Sequence, residues 1–366
     1  MRLFRISPML LFTFGLVLQP GLAKAQSAPQ PTSTTSPAKT HALAIPAEEP
    51  SDEAQEESIA AKGLSGRVAA MLLRCEYDEI DHLAQKLRSE KTRTAGGGWE
   101  LSYLYRGLKA PDRFHPEDHI ARLNAWITAR PQSITPRVAL AGVYLKYAWA
   151  ARGAGYADSV TPEGWRLFAE RAAQAKLVLD DAAKLTPMCP EWFSKMQTVA
   201  LAQDWEKDQT AALFQRAIEF EPEYIYFYKS YALYLLPKWD GNERDDADFA
   251  RKSADAVGGK KGDYIYYEIG MVVLGAKSGE KGGGLDWARL QRGYQAQADL
   301  FAKNTNYDKN QFARMAFRFH DRTIGKQAFA DVGEKWSKDV WKKREKFEQA
   351  RKWADGASES TTASLH

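Results

Sequence analysis

The stretch Ala175-x3-Leu179-x2-Ala182-x4-Pro187, followed by Phe214-x2-Ala217-x4-Pro222, decides the fold: the second line repeats the first at a step of 35 residues, and Phe249 extends the step once more. A period of that length marks stacked structural units. Small, large, small, proline is the order found in the second helix of a tetratricopeptide-type repeat. A small residue at Ala182 or Ala217 lets two helices approach closely, and Leu179 or Phe214 fills the groove beside it. The proline ends one helix and begins the next. First helices of the pairs are expected over 190–201 and 223–236, where the same step aligns Met196 with Tyr231 and Tyr266, and Ala200 with Leu235. Lys252 stands where the third unit calls for the small residue of Ala182 and Ala217, so the repeat loosens there.

Outward from this zone almost everything reads as helix. Residues 65–90 form one amphipathic pattern, with Val68, Leu72, Cys75, Ile80, Leu83 and Leu87 on a stripe, closed by Gly96-Gly97-Gly98. Trp99 opens a short aromatic helix, Pro116 starts another, and 138–150 is an alanine-rich segment suited only to burial. Thr161 opens the long helix that leads into the repeats. Beyond Gly258, Gly259 and Gly262 further helices are expected over 263–276, 285–301, 308–319 and 322–332. A last one covers 335–354, with Trp336, Val340 and Phe347 on its apolar side and a basic opposite face. Strand-like runs of Val, Ile and Thr are absent. The expected fold is all-α, a right-handed α-solenoid of antiparallel helix pairs, closed by the C-terminal helix as its cap.

The N-terminus reads as a secretory signal peptide over 1–25: Arg2 and Arg5 precede the apolar run from Met9 to Leu18, and Ala23-Lys24-Ala25 supplies the cleavage pattern. The run is about half the ~20 residues a membrane span needs. Residues 26–60, rich in Ser, Thr and Pro and ending in Glu48, Glu49, Asp52, Glu53, Glu56 and Glu57, read as a disordered tether. The helical-repeat domain is placed at 61–355, most regular over 160–260, and 356–366 is a tail. The protein is expected to be exported to the periplasm or beyond the cell.

The formal charge of +4 counts Arg2, Arg5 and Lys24 of the leader, so the remainder is close to neutral and is no nucleic-acid binder. A hydrophobic content of 44% fits a well-filled core. An oxidising compartment allows a bridge between Cys75 and Cys189, but the apolar neighbours of Cys75 favour two buried thiols. Walker, Rossmann, G-x-S-x-G and H-E-x-x-H patterns are missing, so no catalytic residue and no cofactor is assigned. His115 and His119 flank a proline-led first turn better than they hold a metal.

Candidate binding residues come from two breaks in the pattern and one dense helix. Trp149 and Arg152, before Gly153, form either a stacking and anion-binding edge or an ordinary helix end; the helix end is preferred. In the run Leu236-Pro237-Lys238-Trp239-Asp240-Gly241, Trp239 and Asp240 build a protruding loop, or Trp239 folds back over Tyr231 and Tyr234. Tyr224 and Tyr226 belong to a tyrosine series too dense for a single stripe, so these two are expected to face a groove.

The motifs Trp149-x2-Arg152-Gly153, Phe214-x2-Ala217-x4-Pro222, Leu236-Pro237-Lys238-Trp239-x-Gly241 and the region from Asn310 to Trp341 resemble a bacterial domain-of-unknown-function family of secreted or envelope proteins with tetratricopeptide-like helices. The resemblance spans about Gly66 to Trp353 and implies a fold and a compartment, with no activity attached. The expected function is a non-catalytic scaffold that binds a protein or peptide partner; membrane contact is expected only through the basic C-terminal helix. The rival is a cell-envelope glycan-binding protein or hydrolase using Trp99, Trp239 or Trp287 as sugar platforms and Asp245 with Asp246 as acids.

Overall fold

Prolines and short polar side chains set seven of the sixteen helix starts among the described residues. The computed structural model describes residues 52–109, 115–153, 155, 157–239, 241–277 and 282–356. The leader, most of the tether, Asp240 and the tail lie outside these residues. Sixteen α-helices and no strand occur among them: α1 Asp52–Leu73, α2 Tyr77–Glu90, α3 Glu100–Gly107, α4 Pro116–Ala129, α5 Thr135–Arg152, α6 Pro162–Ala182, α7 Pro190–Ala202 and α8 Lys207–Phe220 come first. Then follow α9 Ile225–Tyr234, α10 Asp245–Val257, α11 Gly259–Ala276, α12 Trp287–Phe301, α13 Asn306–Arg318, α14 Arg322–Val332, α15 Lys338–Trp341 and α16 Arg344–Ala354. Proline lies in the first turn of α4, α5, α6 and α7, where its missing N–H costs nothing. Thr161, Asp286 and Asp321 cap α6, α12 and α14 by accepting a main-chain N–H, and Thr305 with Asp308 forms a reciprocal capping box on α13.

Two expected helices are broken. The pattern over 65–90 is two helices, α1 and α2, because Cys75 takes a left-handed conformation at φ 59° between them. Cys75 is exposed and Cys189 buried, both as free thiols, so only one of the two is the packed thiol expected. The C-terminal element likewise divides into α15 and α16 at Lys342, φ 65°. Neither break carries a glycine or proline. In addition, α1 already begins at Asp52, within the stretch read as tether.

Consecutive helices from α5 through α12 pack on one another, and α5 also packs on α7, α7 on α9 and α9 on α11. Leu179, Ala182 and Ala217 are fully buried, Phe214 nearly so, and the Phe214 ring meets Tyr231 and Phe249 at 4.6 and 5.2 Å. Lys252 is exposed; Ala250 and Ala254 are the small buried residues of α10, so the third unit keeps close approach in a shifted register.

The N-terminal helices add something the repeat does not contain. α3 lies against α1, where a Cβ at Gly107 would overlap the Ser65 main chain. Its leading residue Trp99, fully buried, packs edge-on against Tyr224 at 4.9 Å and donates from Nε1 to the Glu223 carbonyl at 3.1 Å. Tyr105 meets Cys189 at 3.3 Å, and Gln297 of α12 reaches the Gly96 carbonyl at 2.9 Å. At Gly97, φ +89°, any side chain would enter the Phe301 ring. The leading ends of α7 and α9 are therefore contacted by the protein's own α2–α3 connection and α3.

A second, smaller core gathers Ala313, Ala328, Phe329 and Val332 of α13 and α14 under Val340, Trp341, Phe347 and Trp353. Asn310, fully buried, ties it: its side-chain oxygen accepts from Trp341 Nε1 at 2.9 Å and from the Ser337 N–H at 3.0 Å, and its Nδ2 donates to the Lys335 carbonyl at 3.0 Å.

Two outcomes follow from these cores. Deleting the chain from Lys335 uncovers Phe329 and Val332 and leaves Asn310 buried without those partners, so the truncated protein is expected to aggregate, whereas ending it after Gly356 leaves the melting transition unchanged; a monomeric, normally melting Lys335 truncation in gel filtration and calorimetry refutes the capping role. Burial, then the Glu268 charge, pushes the Asp308 carboxyl up to about 6. Its unfolded value is about 3.9, so this group favours folding most below about pH 4 and the benefit is lost as pH rises through about 6. Melting of the wild type should therefore fall between these limits more steeply than melting of Asp308→Asn, by on the order of 1 kcal/mol in stability. Parallel melting curves would remove the burial argument.

Candidate functional site

The residues singled out by sequence separate into an aromatic cluster, a buried pair and a cleft rim. Arg152, in the last turn of α5, lies with its guanidinium carbon 5.7 Å from the Trp149 ring centre, 5.5 Å from Trp165 and 5.6 Å from Trp239. Its Nη1 donates to the carbonyls of Gly153 and Gly155 at 3.3 and 3.0 Å, as a helix-end residue does. The stacking edge and the helix end thus coexist in one side chain. Trp239 is half-buried and meets Trp149 edge-on at 5.7 Å, so it docks across onto the end of α5. Trp165, which the sequence did not single out, is 39% exposed and completes the cluster with Phe168 beneath it, 5.8 Å from its ring. Its signal was the spacing Trp165-x2-Phe168 in the first turns of α6.

Tyr224 does not face a groove. It is fully buried, and its hydroxyl donates to Glu191 Oε1 at 2.6 Å; burial and the Glu191 charge hold its pKa well above the usual phenol range. The cause is Trp99, which fills the space in front of it. Tyr226 is half-buried, with its hydroxyl 2.9 Å from Ser102 Oγ, and borders open space. Trp99 and Ser102 thus meet both tyrosines at the start of α9.

What remains is a polar cleft of about 210 Å³ between α3, α7 and α9. From α3 come Ser102, Tyr105 and Arg106, with Lys109 just past its end; from α7 Glu191, Ser194, Lys195 and Thr198; from α9 Tyr226 and Ser230. Glu191 is buried and Lys195 Nζ lies 2.6 Å from its second oxygen, so this carboxylate is satisfied on both sides. Sequence reasoning passed over Glu191 and Lys195, although an i, i+4 acid–base pair inside an otherwise apolar helix was visible.

Comparison with models of known protein families, with curated proteins and with solved structures finds no match to this chain. The chemistry must therefore come from the geometry alone.

Other candidates dissolve on inspection of their partners. Trp99 is core and offers no sugar platform; Trp287 is stacked on Phe312 and Phe319 and donates to Asp321 Oδ2 at 3.0 Å. Asp246 is fully buried and pairs with Lys277 at 2.9 Å, while Asp245 takes Lys207 at 2.9 Å, so the two carboxylates do not face each other across a cleft. His119 lies 2.8 Å from the Leu108 carbonyl, with burial lowering its pKa. Among the described residues no group of three or more His, Cys, Asp or Glu gathers to hold a metal, and no helix is long and apolar enough to cross a membrane.

Tyr224→Phe removes one donor from the buried Glu191 and is expected to cost about 2 kcal/mol of stability. A melting temperature equal to wild type would show that Glu191 does not depend on this hydroxyl.

Proposed function

We propose that this chain is an exported, non-catalytic scaffold, a right-handed α-solenoid of tetratricopeptide-like helix pairs working in the periplasm or outside the cell, that holds a protein or peptide partner. The observation that carries this reading is the cleft between α3, α7 and α9. It is open, polar and backed by buried helices, and two of its hydroxyls are engaged in structural bonds: Ser102 donates to the Trp99 carbonyl and Thr198 to the Ser194 carbonyl. No imidazole borders it, and its one acid is consumed by Lys195 and Tyr224. Such a site recognises; it has no general base or nucleophile in place to react. The next-but-one packing of α5, α7, α9 and α11 supports the solenoid, because that is how first helices of successive pairs line up.

The exposed ring of Trp165 beside Trp149 and Trp239 favours glycan stacking as a second reading. A photo-activatable residue at Ser230 in the cleft, at Trp165, or at the exposed Leu177 as control separates the two in intact cells. The scaffold reading expects a discrete protein adduct from position 230 and none from 177. No adduct at 230, together with retention on cell-wall fragments that Trp165→Ala abolishes, transfers the function to the glycan reading.

A further inference from the structure

The charges around the cleft are used unequally. On α7, Lys195 and Glu191 are spent on each other at 2.6 Å. Arg106 of α3 and Lys109 just past its end have no carboxylate partner among the described residues. The Arg106 guanidinium rests over the Tyr103 ring, 4.6 Å from its centre, which orients it without neutralising it. Desolvation, then the charge of Lys195, lower the pKa of the Lys109 ammonium, although the residue is exposed. Ser194 of α7 lines the same cleft; it is 6% exposed, and its Oγ has no hydrogen-bond partner. Buried hydroxyls are nearly always paired, and this one belongs to the cleft lining.

These features select the ligand by sign and by shape. A cation is excluded by the positive surplus, and a neutral chain would pair with Ser194 while leaving both charges unanswered. Arg106 lies in the last turn of α3 and is held against Tyr103, whereas Lys109 follows three residues on, past the helix end. The two cations therefore address separate points, as side chains along a polymer require and a single phosphate does not.

We propose that this cleft binds the carboxylates of an acidic peptide segment, with Arg106 and Lys109 each taking one carboxylate and Ser194 Oγ hydrogen-bonding to the peptide. The proposal rests on the scaffold reading only in making the ligand a peptide. Fluorescence anisotropy of labelled hexaglutamate and hexaglutamine with the purified full chain tests it, with inorganic phosphate as competitor. Hexaglutamate is expected to bind, more weakly as salt is raised, and hexaglutamine not to bind. Lys109→Gln, at an exposed position that leaves the core untouched, is expected to weaken binding about tenfold, and Ser194→Ala severalfold, with unchanged circular dichroism. Equal binding of the two peptides, or wild-type affinity in Lys109→Gln, overturns the proposal; so does phosphate displacing the peptide at lower concentration than the peptide itself binds. A cellular adduct at position 230 without hexaglutamate binding leaves the scaffold standing and removes the acidic ligand. Hexaglutamate binding without any cellular adduct supports the cleft chemistry and removes the scaffold.

Discussion

The burial of Trp99 is the contact on which the rest of the structure depends. An indole is among the largest side chains a core can hold, and truncating one costs about 3–5 kcal/mol. Here it also closes a polar account: its Nε1 reaches the Glu223 carbonyl, Arg93 lies 3.9 Å above its ring centre, and Arg93 in turn donates to the same carbonyl at 3.3 Å. Trp99 and Tyr105 meet Tyr224 and Cys189, the residues that lead α9 and α7. α7 itself packs on α5, α6, α8 and α9, which explains why it reads as nearly all core, with even Glu191, Ser194 and Gln197 inside.

The polar groups inside this packing are arranged pair by pair. Glu191 with Lys195 and Tyr224, Glu268 with Lys229 at 2.6 Å, and Asp246 with Lys277 at 2.9 Å place three acids on α7, α11 and α10 against bases on their own or neighbouring helices. Burial works against the Lys229 ammonium, and Glu268 more than offsets it, holding that amine above its usual range. Such pairs add little net stability, but losing one partner leaves a buried charge, so they fix which helix sits beside which. At the C-terminus charge is used differently. Arg351 pairs with Glu334 and Glu348 at 2.9 Å each, which mutes part of the basic face of α16, while Phe347 and Trp353 commit its apolar side to the second core.

Local signals were legible and distant ones were not. Pro116, Thr161, Pro190 and Asp321 mark helix starts that the structure places within a residue, because first-turn chemistry depends on near neighbours alone. The small and large residues at Leu179, Ala182, Phe214 and Ala217 are buried as their spacing required. The breaks at Cys75 and Lys342 escaped because left-handed backbone at a non-glycine residue leaves no trace in composition. Tyr224 was misplaced for a different reason. Its neighbour Trp99 lies 125 residues away along the chain, and periodicity describes only what a helix does to itself. Of the site, the meeting of Trp149 and Arg152 was visible as adjacent residues, whereas the cleft is assembled from three helices whose proximity no pattern encodes.

Those same distant contacts bear on how the chain acquires its shape. A pure stack of repeats folds from any point outward, each unit needing only its neighbours. Here hydrogen bonds span 124 residues from Trp99 to Glu223 and 201 from Gly96 to Gln297. Loops of that size must close before their contacts stabilise anything, which slows folding and raises its cooperativity. At synthesis rates of about 5–20 residues per second, several seconds separate the emergence of Trp99 from that of the helices that bury it. During that interval its indole and the Tyr105 ring are open to any passing apolar surface, so the element that completes the fold is also its most exposed moment on the ribosome.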